Sequence, residues 1–290
     1  LLIGHERQKN IFKNILLNNS LLNSYLFTGN EGVGKKFFAT ELARSALCKD
    51  DSFFEECFCS SCRLAASGNH PDIRIVDDES IKIDSVREFI ADAHISPYYG
   101  KYKFYIINNA HTMTREAANS FLKTLEEPSD TTVFILVTHR QAKLLPTIRS
   151  RCVEMKFGRL TFDQLYNILN NKGYNSDDIE KAISLASGSA ATSINLLEGD
   201  LKLDNQRKMD SLENLIYDVL SIKSRDDLKN YAFSLYINVL DNYKNSYEQK
   251  FLYFLDDILR VIKYLEYNVN LEMLKMSLIS KMGEVLREET

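Results

Sequence analysis

Apolar residues in the first half of the chain gather in short blocks, and the segments between those blocks carry apolar residues at helical spacing. Tyr25-Leu26-Phe27-Thr28, Phe104-Tyr105-Ile106-Ile107 and Val133-Phe134-Ile135-Leu136-Val137 are unbroken or nearly so, the pattern of strands buried on both faces. Residues 72–76 and 153–157 alternate and also read as strands. Ile11, Ile15, Leu16, Leu21 and Leu22, followed by residues 36–47, 83–93 and 114–127, have helical periodicity. Asp84 or Ser85 is expected to cap the third of these helices, and Pro128 stops the fourth. Strands alternating with helices imply a parallel sheet covered on both faces, with its functional edge at the carboxyl ends of the strands. Thr28, Asn108 and Thr138 fall at such ends.

Beyond Gly158 the strand pattern ceases. Residues 161–172, 177–187 and 190–198 predict three short helices, with Thr161 and Ser176 as caps and Gly173, Gly188 and Gly199 as breaks. From residue 201 the chain is helical again: Leu212, Leu215, Ile216, Val219 and Leu220 repeat at helical spacing, as do residues 251–267 and 271–286. Tyr231, Phe233, Tyr236, Phe251, Tyr253 and Phe254 lie within these periodic faces, which favours core and subunit packing over base stacking.

Composition adds limits rather than a function. With 290 residues, 44% hydrophobic and 26% charged, the chain fits two or three ordinary soluble domains. No run approaches a membrane span, and residues 1–10 lack the layout of a signal peptide, so the expectation is a cytoplasmic protein with no membrane association. A formal net charge of -4 gives no overall attraction to nucleic acid, so any DNA contact is expected to be shared with partners.

Candidate chemistry begins where the first strand ends. Gly29-Asn30-Glu31-Gly32-Val33-Gly34-Lys35-Lys36 almost matches G-x-x-x-x-G-K-[ST], and the strand-loop-helix context is the one this motif requires. Gly29, Gly32 and Gly34 let backbone N–H groups face phosphate oxygens, and Lys35 meets the outer phosphates. Lys36 occupies the position of the hydroxyl that holds Mg²⁺, and an ammonium cannot ligate a metal. At the end of the Phe104 strand a phosphate-loop ATPase carries an acidic pair, whereas this chain has Asn108-Asn109. An amide neither takes a proton from water nor balances Mg²⁺ charge.

Of the five cysteines, Cys48, Cys57, Cys59 and Cys62 fall within fifteen residues. Without a secretory signal this clustering points to a structural four-thiolate zinc site, against free thiols or a site completed by another ligand.

The glycine loop, the four cysteines, Gly68-Asn69-His70-Pro71-Asp72, the run from Ala117 to Pro128 ending in Leu125-Glu126-Glu127-Pro128, and Thr147-Ile148-Arg149-Ser150-Arg151-Cys152 together resemble the clamp-loader ATPases of the AAA+ class, a component of the bacterial DNA polymerase III holoenzyme. The likeness covers residues 3–200 in pattern and the remainder in character. It implies an α/β fold: an AAA+ P-loop core with a parallel sheet over residues 1–158 and an inserted zinc module at 48–62, a three-helix lid at 159–201, and an all-α collar at 202–290 that mediates oligomerisation. It further implies that Arg151 is an arginine finger reaching a neighbouring subunit's nucleotide, a task suited to a permanently charged planar fork. The lid arginine of the family is missing from Gly188-Ser189-Ala190-Ala191-Thr192-Ser193. The resemblance therefore implies a non-hydrolysing stator, able at most to hold ATP at Gly29, Gly32, Gly34 and Lys35. Its expected partners are gamma/tau and delta subunits in a heteropentamer, and through them the sliding clamp and primed DNA. The alternatives are a gamma/tau-like subunit with weak ATPase of its own and a nucleotide-binding regulatory module outside replication.

Overall fold

The three central strands of the sheet are buried almost throughout and are apolar on both faces, whereas the two edge strands keep exposed and charged positions. The computed structural model describes residues 2–198, 212–265, 267 and 269–286. Elements follow in the order α1 (Glu6–Leu17), β1 (Ser24–Gly29), α2 (Lys35–Ala46), α3 (Ser60–Ala66), β2 (Ile73–Val76), α4 (Ile83–Ala93), β3 (Lys103–Ile107), α5 (Arg115–Glu126), β4 (Thr132–Thr138), α6 (Pro146–Arg149) and β5 (Val153–Phe157). The five strands form one parallel sheet in the order β2-β3-β4-β1-β5. Tyr25, Phe27, Phe104, Ile106, Val133, Ile135 and Val137 point into one buried cluster, with Phe12 of α1 and Phe38 and Leu42 of α2. Leu26, Tyr105, Ile107, Phe134 and Leu136 point into the other, with Phe89 of α4 and Phe121 of α5.

Three further helices, α7 (Phe162–Asn171), α8 (Ser176–Ala186) and α9 (Ala190–Glu198), follow the last strand. Thr161 caps α7 as expected, accepting from Gln164 N–H while the Gln164 side chain returns to the Thr161 N–H. Two other expected caps are displaced. Asn175, not Ser176, precedes α8, and Ser176 is its first helical residue, accepting from the Tyr166 hydroxyl at 3.2 Å. Lys82, not Asp84 or Ser85, stands at the start of α4, because the Ile81–Met113 bridge holds the chain extended up to that point. Asp84 lies in the first turn, where its charge still favours the helix dipole. The expected break at Gly199 and the junction of lid and collar at 201–202 lie outside the described residues.

The chain divides into two compact units, Leu1–Ile194 and Asn195–Thr290. In the second, α10 (Leu212–Ser221), α11 (Arg225–Ser246), α12 (Gln249–Leu265) and α13 (Leu271–Leu286) pack together, α11 on α12 and α10 and α12 on α13. Phe233, Phe251 and Phe254 are buried there as the periodicity implied, whereas Tyr253 is 64% exposed. The full length of α11 was not evident from the sequence. Leu228, Ala232, Phe233, Leu235, Ile237 and Val239 are all buried, which spreads apolar positions around the helix and blurs a one-sided pattern. Arg225 donates to the carbonyls of Leu265, Tyr267 and Val269 and so ties the start of α11 to the α12–α13 turn.

The Gly68-Asn69-His70-Pro71-Asp72 motif is a buried corner. His70 Nδ1 accepts the Asp72 N–H at 3.1 Å, so Nε2 carries the proton and donates to Ser61 Oγ at 3.0 Å. The Asp72 carboxylate accepts the N–H groups of Tyr98 and Tyr99, both at 2.7 Å. The corner thus joins α3, β2 and the loop before β3. Burial lowers the His70 pKa, and it also lowers those of His5 and, to about 4, His111. Each is neutral in the fold and takes up a proton more readily once unfolded. Stability is therefore complete above about pH 6.5 and declines as pH falls below it. Urea midpoints are expected to hold level from pH 8 to 7 and to drop towards pH 5.5, with a shallower drop in His70→Asn; a midpoint that rises on acidification refutes this account.

Candidate functional site

Parallel strands end together at one edge of the sheet, and Thr28 of β1 is in register with Thr138 of β4. The glycine loop leaves β1 at that edge and turns into α2. Its carbonyls are turned inward and satisfied by four hydrogen bonds from three places. Lys35 Nζ donates to Gly29 O at 2.9 Å and Asn30 O at 2.5 Å, His5 Nε2 donates to Val33 O at 2.7 Å, and Ala191 N–H donates to Gly32 O at 3.1 Å. Lys35 is buried, and burial lowers its pKa to about 8 against the opposing pull of Glu31. The ammonium that would meet phosphate is folded back onto its own loop.

Gly32 shows why this turn demands glycine. Its φ is +73°, and a Cβ there would overlap Ser189 Oγ and lie 2.8 Å from Ala191 Cβ. The start of α9 therefore rests on the loop. Ser189 and Ala191 belong to the segment that lacks the family's arginine, and here they supply a close packing surface and a backbone donor.

Lys36, Asn108 and a residue that sequence reasoning passed over come together beside the loop. Lys36 Nζ lies 2.5 Å from Asp77 Oδ2, and Asn108 Nδ2 donates to Asp77 Oδ1 at 2.6 Å. Burial acts to raise the Asp77 pKa, but these two bonds outweigh it and hold the carboxyl below the usual range. Asp77 directly follows β2, so its place at the carboxyl end of a parallel strand was the available signal. Asn109 adopts a left-handed conformation and opens the turn after β3, apart from this trio. Farther along the edge, Thr138 Oγ1 and His111 Nδ1 are 3.1 Å apart, and His139 Nε2 lies 3.6 Å from Glu31.

Arg151 lies away from these groups, past α6. Its Nε donates to Glu126 Oε1 at 2.9 Å, Nη2 contacts the same oxygen, and Nη1 donates to Thr147 O at 2.8 Å and Ser150 Oγ at 3.3 Å. The side chain keeps 32% of its exposure. Neighbouring Cys152 is inert by comparison, since burial pushes its thiol up to about 12.

The sulfurs of Cys48, Cys57, Cys59 and Cys62 all lie within 4.8 Å of one another, and this group could hold a metal ion. A tetrahedral four-thiolate zinc site separates its sulfurs by about 3.8 Å; Cys48 and Cys57 are 3.5 Å apart here. Cys57 Sγ accepts the Cys59 N–H and Cys59 Sγ the Cys62 N–H, each at 3.4 Å, so backbone donors already face the sulfurs. Cys59 also caps α3, a helix the cysteine spacing had not suggested.

A parallel sheet with a glycine loop leaving its fourth strand in spatial order, and a helical segment resting on that loop, defines a P-loop α/β protein. The chain belongs to the DNA polymerase III, delta subunit family, whose model matches residues 4–161. It is 38% identical to the DNA polymerase III subunit delta' of Pseudomonas aeruginosa over 136 residues, 45% of this chain and 42% of that protein. The delta' subunit of Bacillus subtilis is 38% identical over 159 residues, 53% of this chain and 48% of that protein. Likeness extends to the tau/gamma subunit of Haemophilus influenzae, 30% identical over 213 residues, 71% of this chain and 31% of that protein. The matched stretches span less than half the length of these three relatives. The delta prime resemblance rests on the family match together with the two delta' relatives.

Gly32→Ala is expected to destabilise the chain by about 2 kcal/mol or more, through left-handed strain and the clash with α9. Removing the hydroxyl in Gly32→Ala/Ser189→Ala should recover only part of the loss, because Ala191 and the strain remain. Urea unfolding of the three proteins checks this, and a fully recovered double variant contradicts it.

Proposed function

We propose that this chain is a non-hydrolysing, delta prime type subunit of a DNA polymerase III clamp loader. Its AAA+ core (1–158), lid (159–201) and collar (202–290) would assemble in the cytoplasm with gamma/tau and delta subunits into a heteropentamer. The observation that carries this reading is the Lys36–Asp77–Asn108 trio. In a hydrolysing P-loop site the equivalent of Lys36 and the strand-end carboxylate hold Mg²⁺; here a fixed ammonium and an amide share one carboxylate. The protein supplies its own cation where a metal would otherwise neutralise phosphate charge. ATP, if held at Gly29, Gly32, Gly34 and Lys35, must first draw Lys35 off the loop carbonyls, and the Asp77 carboxylate, the one group of the trio able to take a proton from water, is engaged by Lys36 and Asn108.

The working chemistry belongs to Arg151. Four of the five guanidinium N–H directions are anchored by Glu126, Thr147 and Ser150, which fixes its plane at the exposed end of α6. A guanidinium so oriented can stabilise charge building on a phosphoryl group held by the adjacent subunit. That subunit's turnover would drive loading of the sliding clamp onto primed DNA. The four cysteines would hold a structural zinc, closing a loop too small for a core of its own.

A second reading, a gamma/tau-like subunit with weak ATPase, is favoured by the tau/gamma relative that matches 71% of this chain. Turnover separates the two. The isolated chain is expected to hydrolyse no ATP above background, and clear turnover abolished by Lys35→Ala would establish the gamma/tau-like reading. In the reconstituted loader, Arg151→Ala should lower DNA- and clamp-stimulated ATPase several-fold while assembly stays intact. Unchanged turnover in an intact assembly sinks the trans role. Elemental analysis of the native chain is expected to give about one zinc per molecule; protein purified without chelating thiols that carries no metal and has all four of these thiols freely alkylated would exclude the site.

A further inference from the structure

Arg44 lies near the end of α2 with only 8% of its surface exposed, a costly place for a permanent charge. Its fork divides three ways: Nε donates to Glu41 Oε2 at 3.0 Å, Nη2 to Glu55 O at 3.0 Å, and Nη1 to Cys62 Sγ at 3.3 Å. The first two are ordinary partners for a guanidinium. The third is not, because a neutral thiol is a weak acceptor, whereas a thiolate bound to a metal is a charged one.

Charge gives this contact a purpose. A divalent ion enclosed by four thiolates carries a net charge of about −2, and the protein has to offset it. Cys57 and Cys59 receive backbone N–H groups. Cys62 is 1% exposed, which keeps water from serving its sulfur, and Arg44 reaches it from another helix. The same stretch of α2 accepts the loop a second time, where Ser45 Oγ takes the Phe54 N–H at 2.9 Å.

We propose that Arg44 is a positioning residue of the metal centre: it orients the Cys62 thiolate, offsets the charge of the thiolate cluster and fastens the cysteine loop to the helix that begins at the glycine loop. The proposal rests on the zinc reading given above. It explains why a guanidinium, rather than a smaller donor, stands there: one planar group engages a carboxylate, a carbonyl and a sulfur at once.

The test uses the full chain purified with zinc, as the native protein, Arg44→Met and Arg44→Lys. Zinc per molecule is measured first, then transfer of zinc to a competing pyridylazo-resorcinol chelator, then the sulfur-to-metal charge-transfer bands after exchange with Co²⁺. Arg44→Met is expected to bind zinc about 10–100-fold more weakly, with bands at lower energy because the sulfur has lost a charged donor. Arg44→Lys should fall between, since it restores charge but not the fork. Native protein that carries zinc while both variants stay within about twofold of it and keep unmoved bands overturns the role of Arg44 alone. Native protein without zinc overturns the four-thiolate reading itself. If Arg44→Met does not fold, Arg44→Lys decides by the same twofold limit.

Discussion

The left-handed turn at Gly32, pressed beneath Ser189 and Ala191, is the constraint on which the rest of the first unit depends. A residue with a Cβ fits neither the φ of +73° nor the space, so the loop must pass at backbone distance from the start of α9. Once it does, its carbonyls point inward and need donors. Lys35, His5 and Ala191 provide them from α2, from the start of the chain and from the helical segment after the sheet. A loop built to present N–H groups to phosphate is thereby held by its carbonyls, and it works as a joint between three parts of the unit.

Two substitutions that looked independent in the sequence are one arrangement in space. Lys36 on α2 and Asn108 after β3 converge on Asp77 after β2. With side-chain exposures of 44% and 38%, the Lys36–Asp77 pair stabilises the fold by about 1 kcal/mol at most. Its weight is in electrostatics rather than stability: a tethered ammonium sets the local charge without the open coordination positions a metal would bring. Arg151 follows the opposite logic. It is anchored by Glu126 and Thr147 of its own chain while 32% of its side chain stays exposed, in keeping with the trans role proposed for it.

The cysteine loop connects to this frame through α2. Arg44 and Ser45 near the end of that helix hold the loop at Cys62 and Phe54, and Lys35 at its beginning holds the glycine loop. One helix of 12 residues therefore fixes the separation between the cysteine cluster and the glycine loop.

The sequence by itself determined the parallel sheet, the strand edge, the glycine loop and the four-cysteine group. Each is written in local signals: near-continuous apolar runs for strands buried on both faces, glycine spacing, and thiols close along the chain. It also marked Lys36 and Asn108-Asn109 as departures from a hydrolysing site, because that judgement needs only residue identity at a motif position. Tertiary structure alone decided what those residues do. Asp77 and Arg44 have no motif around them, and their partners are 31 to 41 residues away for Asp77 and 18 for the sulfur met by Arg44. Helix starts at Lys82 and Asn175 were likewise set by a neighbouring bridge and by chain entry rather than by cap preference. The motif around His70 was legible as a pattern, but its meaning, a buried corner with a fixed tautomer, required Ser61 and the Tyr98 and Tyr99 amides to be brought against it. Local periodicity records which face of an element is buried; it does not record which charged group waits on the far side of the loop.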